Sequence, residues 1–206
     1  MDTVRNTPEG KEMKPWHYQS VDACDVDQVQ CQGGKCAGPK IEAAVASLRT
    51  GQGDQLKALR VLVHLVGDVH QPLHTAENRG DIGGNFVIIS NRNCVQYDGT
   101  IAKCNLHTYW DNNLVKSAMG KRSEKEYVRD LVEMSVSTGG DAESWIKESN
   151  QLAKSTAHNY SGFACQIGPN KIKLSKAYDI AAAPIVSDQL AKAGKRLAAL
   201  LNDIYK

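Results

Sequence analysis

His64-Leu65-Val66-Gly67-Asp68-Val69-His70-Gln71-Pro72-Leu73-His74, with Asn105-Leu106-His107-Thr108-Tyr109-Trp110-Asp111 beyond it, decides how this chain is read. Of the 6 histidines, four fall between His64 and His107. His64 and Asp68 stand four residues apart at the end of a predicted helix, so both side chains leave from one face. Pro72 turns the chain before His74, and His107 and Asp111 repeat the His-x-x-x-Asp spacing on the next predicted helix. Histidine nitrogen and carboxylate oxygen are ligands that zinc accepts in hydrolytic sites, at ~2.0–2.2 Å. A single such pair is usually an ordinary helix-surface contact. Two pairs, with His74 and the more distant His17, supply ligands for two adjacent metals, an arrangement suited to in-line phosphoryl displacement.

Outward from this stretch the pattern is helical. Asp54 is a predicted N-cap for a helix reaching about Gly67, with Leu56, Leu59, Val63 and Val66 along one stripe. A shorter helix over 41–49 precedes it, closed by Gly51-Gln52-Gly53. Residues 1–40 read mostly as loop, because Pro8, Gly10, Pro15, Gly33, Gly34, Gly38 and Pro39 break any period. Phe86-Val87-Ile88-Ile89-Ser90 is β-rich, and the turn-forming Asn91-Arg92-Asn93 after it predicts a small hairpin before Asn105. Helices follow at about 106–117, 124–136, 141–158 and 174–205. The last is expected to be divided by Pro184, with Leu190, Leu197, Leu200, Leu201 and Ile204 on one face. The fold class is mainly α with one small β-hairpin, in a single domain over 1–206.

Bulk properties exclude more than they suggest. A formal net charge of +2 makes no case by itself for nucleic acid or an anionic membrane. No apolar run approaches the ~20 residues of a membrane span. The first residues, Met1 to Gly10, lack an apolar signal core, which by itself points to the cytosol. The 6 cysteines point the other way. They are even in number, and Cys24, Cys31 and Cys36 crowd one Gly-rich loop without a Cys-x-x-Cys pair, as disulfides of an oxidising compartment would. The sequon Asn159-Tyr160-Ser161 is compatible with a secreted glycoprotein. The expectation is therefore a secreted or periplasmic protein whose natural N-terminus lies upstream of Met1.

The string from His64 to His74, then Gly83-Gly84-Asn85, then Asn105 to Asp111, resembles the motif set of the S1/P1 nuclease family. Pro15-Trp16-His17-Tyr18, Trp145-x-x-Glu148-Ser149 and the segment Gln189 to Ala198 have family counterparts too, so the resemblance covers essentially the whole chain. It implies a mainly helical fold of the phospholipase C/P1 nuclease type around three zinc ions. The implied activity is cleavage of single-stranded DNA and RNA to 5′-nucleotides, with release of phosphate from 3′-mononucleotides. Carried over by motif, the first zinc takes His17, His64, Asp68 and Asp2, and the second takes His74, His107 and Asp111. Asp68 bridges to the third.

By the same resemblance Asp2 orients the attacking water and Arg5 stabilises charge on the phosphoryl group. Tyr18 stacks on the leaving base, and Asn85 approaches the substrate. His70 lies inside the motif without being a ligand, and is read as structural or as orienting a ligand carboxylate. The implied disulfides are Cys24–Cys165, Cys31–Cys36 and Cys94–Cys104. Closing the longest loop contributes ~4–5 kcal/mol in the chain-entropy model.

Two departures stand out. The family's mature chain starts with a tryptophan that, with a nearby histidine, binds the third zinc, and nothing before Asp2 supplies either. Either the chain is truncated or that site is incomplete. The family's base-reading aspartate is replaced by Ser20. The rival readings are a zinc phospholipase C, which typically has a glutamate where Asp111 stands, and a catalytically impaired fragment that binds zinc and nucleotides. A monomer is the default.

Overall fold

The computed structural model describes residues 7–24, 31–95, 99–165 and 171–206. It is mainly helical, as the sequence predicts. Helix α1 (Pro8–Met13) continues into a 3₁₀ turn over Lys14–His17. This is a correction to the loop expected over 1–40. Thr7 caps the Gly10 amide and Pro8 occupies the first turn, where a missing N–H costs nothing, so the proline starts a helix here. Helices α2 (Ala37–Thr50) and α3 (Gln55–Asp68) pack together, with Gly51 in the left-handed region ending the first. The Asp54 side chain accepts from the Lys57 amide and caps the second.

The buried face of α3 is Ala58, Val61, Leu62, Leu65 and Val66, whereas Leu56 and Val63 are exposed. The stripe expected through Leu56 and Val63 is thus misplaced. Residues 56–66 are apolar nearly all round, so periodicity alone does not select a face.

Strand β1 (Val21–Asp22) pairs in parallel with β2 (Ala76–Glu77). The ladder extends backwards, with the Gln19 amide donating to the His74 carbonyl and the Val21 amide to Thr75. Asn150 donates to both the Val21 and Thr75 carbonyls and fastens the two segments. This pairing lays the segment after His17 along the segment after His74.

Strands β3 (Ile88–Val95) and β4 (Ile101–Asn105) form the hairpin, and β5 (Lys171–Ile172) adds on the other side of β3. Asn91–Asn93 is not its turn, another correction. Those residues lie inside β3, where the register shifts between Ile89 and Asn93. Asn91 pairs through its amide with the backbone of Leu174, and Arg92 reaches Asp179, so outside partners satisfy the bulge.

After β4 come α4 (Leu106–Thr108), a π-helical turn over Tyr109–Asn113 and α5 (Leu114–Met119). Helices α6 (Glu124–Glu133) and α7 (Ala142–Leu152) follow, the latter running into a second π turn over Ala153–Ala157. Helix α8 (Lys176–Ile204) passes through Pro184 unbroken, contrary to the expected division. One lost backbone hydrogen bond is outweighed where a long helix packs along its length, and α8 touches α2, α3, α5 and α6.

Three disulfides are present: Cys24–Cys165, Cys31–Cys36 and Cys94–Cys104. No helix among the described residues is long and apolar enough to cross a membrane. Two apolar clusters make the core. One gathers Leu73, Ala76, Ile89, Leu106 and Trp110; the other Leu62, Leu65, Val66, Val69 and Trp145. The His64–His74 stretch contributes to both, so its polar side chains sit where the two clusters meet.

Candidate metal centre

Two groups of ligating side chains form there: His17, His64 and Asp68; and His74, His107 and Asp111. Within each group one potential ligand atom per residue lies within 4.8 Å of the others. Asp68 Oδ2 is 3.0 Å from His17 Nδ1 and 3.4 Å from His64 Nε2. Its other oxygen lies 3.9 Å from His74 Nδ1. In the second group Asp111 Oδ2 is 3.6 Å from His107 Nε2, and Oδ1 is 3.9 Å from His74 Nε2. Two ligands on one tetrahedral zinc, at bonds of ~2.0–2.1 Å, stand about 3.3 Å apart. These spacings match that requirement with small adjustments.

The second group is also held from behind. His74 Nδ1 donates to the His17 carbonyl at 2.7 Å, and His107 Nδ1 donates to the Gly83 carbonyl at 2.8 Å. Each bond fixes the tautomer and leaves Nε2 with its lone pair toward Asp111, the arrangement metal-binding histidines use. Burial, followed by the neighbouring His74, pushes the His107 imidazolium below its usual range and favours the neutral, ligating ring. The donor set therefore fits a divalent metal.

The supporting turns explain why these residue types recur in the string. Gly83 and Gly84 both have positive φ. A Cβ on Gly83 would run into the Leu73 carbonyl oxygen, and one on Gly84 would lie 3.1 Å from Leu106 Cβ. Glycine here lets the loop reach His107. Asp111 sits on the π turn, which Tyr109 ties to Asp179 and Trp110 to Tyr178. Such turns are rare and cluster at functional sites. Periodicity gives no sign of this one, since four-residue spacing reads as plain α-helix.

Asn85 lies in the same loop and donates to the Ile82 carbonyl. Ile82, a β-branched residue at φ 51°, went unremarked in the sequence. Holding it there costs on the order of 1–3 kcal/mol, and its side chain is exposed. Tyr18 is exposed too and is not part of the core. Ser20, by contrast, is buried. Asp2 and Arg5 lie outside the described residues.

His70 orients no ligand carboxylate, a correction to one of its two readings. Its Nδ1 donates to the Val66 carbonyl at 2.7 Å, and Nε2 accepts from Arg196 Nη1 at 2.9 Å. Burial, against the help of the Val66 carbonyl, pushes its pKa from 6.5 to about 4. Between those values the unfolded chain binds a proton that the folded chain refuses, so stability falls as pH drops through this window. Melting of chelated protein at pH 7 and 4.5 measures this, and His70→Gln is expected to lose part of the difference.

The S1/P1 Nuclease family model matches residues 1–206. The chain is 31% identical to Nuclease S1 of Aspergillus oryzae, over 98% of this chain and 75% of that protein. It is 33% identical to Endonuclease 5 of Arabidopsis thaliana, over 72% of this chain and 51% of that protein. Nuclease P1 of Penicillium citrinum is 26% identical over 99% of the chain and 82% of its own length. The chain thus spans about half the length of the plant relative and three quarters of Nuclease S1. It belongs to the S1/P1 nuclease family.

Proposed function

We propose that this protein is a zinc-dependent phosphodiesterase that hydrolyses single-stranded DNA and RNA to 5′-nucleotides and removes phosphate from 3′-mononucleotides. The observation that carries the reading is the pair of His/His/Asp groups, His17 with His64 and Asp68 and His74 with His107 and Asp111. Zinc bound there would polarise the phosphoryl oxygens and supply an activated water. The chain's own part is to hold neutral imidazoles and two carboxylates in place before substrate arrives, so that little reorganisation remains for the reaction.

Exposed Tyr18 follows His17 directly and is suited to stacking on a base without regard to sequence, worth ~1–3 kcal/mol. Asn85 reaches the substrate from the glycine loop. Asp2 and Arg5 keep the roles the family resemblance gives them: a ligand that orients water, and a cation for the phosphoryl charge. Three disulfides and the exposed Asn159 sequon support a secreted or periplasmic location.

Incubating the protein with denatured DNA is expected to release 5′-nucleotides. Chelation with EDTA should abolish the release and added zinc should restore it. Activity indifferent to the chelator would sink the proposal.

A further inference from the structure

We infer that Gln71 is a positioning residue for the second metal group, acting through Asp111. The inference rests on the metal reading above. Gln71 touches three ligand-bearing segments. Its amide donates to the Asp68 carbonyl at 2.9 Å, and its carbonyl accepts from the His74 amide at 2.9 Å. Its side chain Nε2 donates to Asp111 Oδ1 at 2.8 Å, across 40 residues of sequence.

The orientation of the side-chain amide is fixed independently. Gln71 Oε1 accepts from the Leu73 amide at 2.6 Å, capping the 3₁₀ turn Pro72–His74 that carries His74. Flipping the amide would set NH₂ against the Leu73 N–H and oxygen against the Asp111 carboxylate, losing both bonds. One side chain therefore couples the turn that presents His74 to the carboxylate that completes its group.

Asp111 needs that coupling. It is the most exposed of the six ligands, at 38% side-chain exposure. The final torsion of a carboxylate is soft, so an exposed aspartate on a π turn does not hold its plane alone. Gln71 pins Oδ1, and Oδ2 is then presented toward His107 Nε2. Partners of this kind typically change metal affinity by 10–100-fold.

The test separates the cap from the contact to Asp111. Gln71→Ser keeps an oxygen able to cap the Leu73 amide but is too short to reach Asp111. Zinc affinity is measured on native protein, Gln71→Ser, Asp111→Asn and the double variant by competition with a chromophoric chelator, with melting of the metal-free proteins alongside. The metal-free melting temperature of Gln71→Ser should stay near native, while the weaker zinc step falls about tenfold to a hundredfold. In the Asp111→Asn background the same change should cost little more, since both act through one carboxylate. Unchanged zinc affinity in Gln71→Ser, or losses that add in full, would overturn the inference. Should Gln71→Ser not fold, Gln71→Asn, also a capping residue, is read in the same way. A native protein that binds fewer than two zinc ions would instead overturn the metal reading itself.

Discussion

Asp68→Asn is expected to lower cleavage of denatured DNA about a thousandfold and to weaken the zinc step at the first group. Asp68 is the carboxylate of the first group among the described residues, with Oδ2 3.0 Å from His17 Nδ1 and 3.4 Å from His64 Nε2. Asparagine keeps the shape, but it removes the negative charge and turns one oxygen into a donor that cannot ligate. A metal in such a site stabilises the transition-state charge by several kcal/mol. Losing about 4 kcal/mol corresponds to roughly a thousandfold in rate. Asp111→Asn should weaken one zinc step and leave the other near native, because Asp111 contacts only the second group. Rate and zinc stoichiometry measured together decide the matter. An Asp68→Asn protein that kept a tenth of native activity would remove this carboxylate from the reaction.

The pairing of His64 with Asp68 and of His107 with Asp111 could be read in the linear sequence, and the reason is local geometry. His64 with Asp68 and His107 with Asp111 sit four apart, and helical spacing brings each pair to one face whatever the rest of the chain does. The sequence offered His17 only as a further, distant ligand, and it took the family motif to assign it to the first group. Its approach depends on the parallel pairing of β1 with β2, and a two-residue strand leaves no pattern to find. Gln71 was hidden for a related reason. A motif names the residue types but does not say that the amide spans from Leu73 to Asp111.

The misread elements share a cause. Pro8, Pro184 and Asn91–Asn93 were read by their intrinsic tendencies to break or turn the chain. In each case a partner outside the local window, or a position in the first helical turn, reversed the outcome. Tertiary contacts override propensities of this size, which are fractions of a kcal/mol to about 3 kcal/mol per residue.

The second large effect lies behind the site. Glu148→Ala is expected to destabilise the fold by about 3 kcal/mol while leaving all six candidate ligands chemically intact. Arg196 on α8 is 4% exposed, and its Nη2 donates to Glu148 Oε2 at 2.6 Å. Lys192 meets the other Glu148 oxygen and also Asp188. Burial raises the Glu148 carboxyl, but Lys192 and Arg196 outweigh it and hold the group below its usual range. The guanidinium packs over Trp145 and passes a hydrogen bond to His70, two residues from Asp68. Next to Glu148, Ser149 donates to the Val69 carbonyl at 2.6 Å.

Removing Glu148 strands a buried cation whose Nε already has no partner among the described residues. Breaking one side of a buried pair costs about 3–5 kcal/mol, because the remaining charge stays out of water. The lower end applies here, since Glu148 itself is 28% exposed. The same argument makes a sharper forecast. Adding Arg196→Met to Glu148→Ala removes the stranded charge, so the double variant should be more stable than Glu148→Ala alone. Urea unfolding of the native protein, both single variants and the double variant, all metal-free, tests this. If the two changes simply add, Arg196 and Glu148 are packing neighbours and not a charge-paired clamp on the His64–His74 stretch.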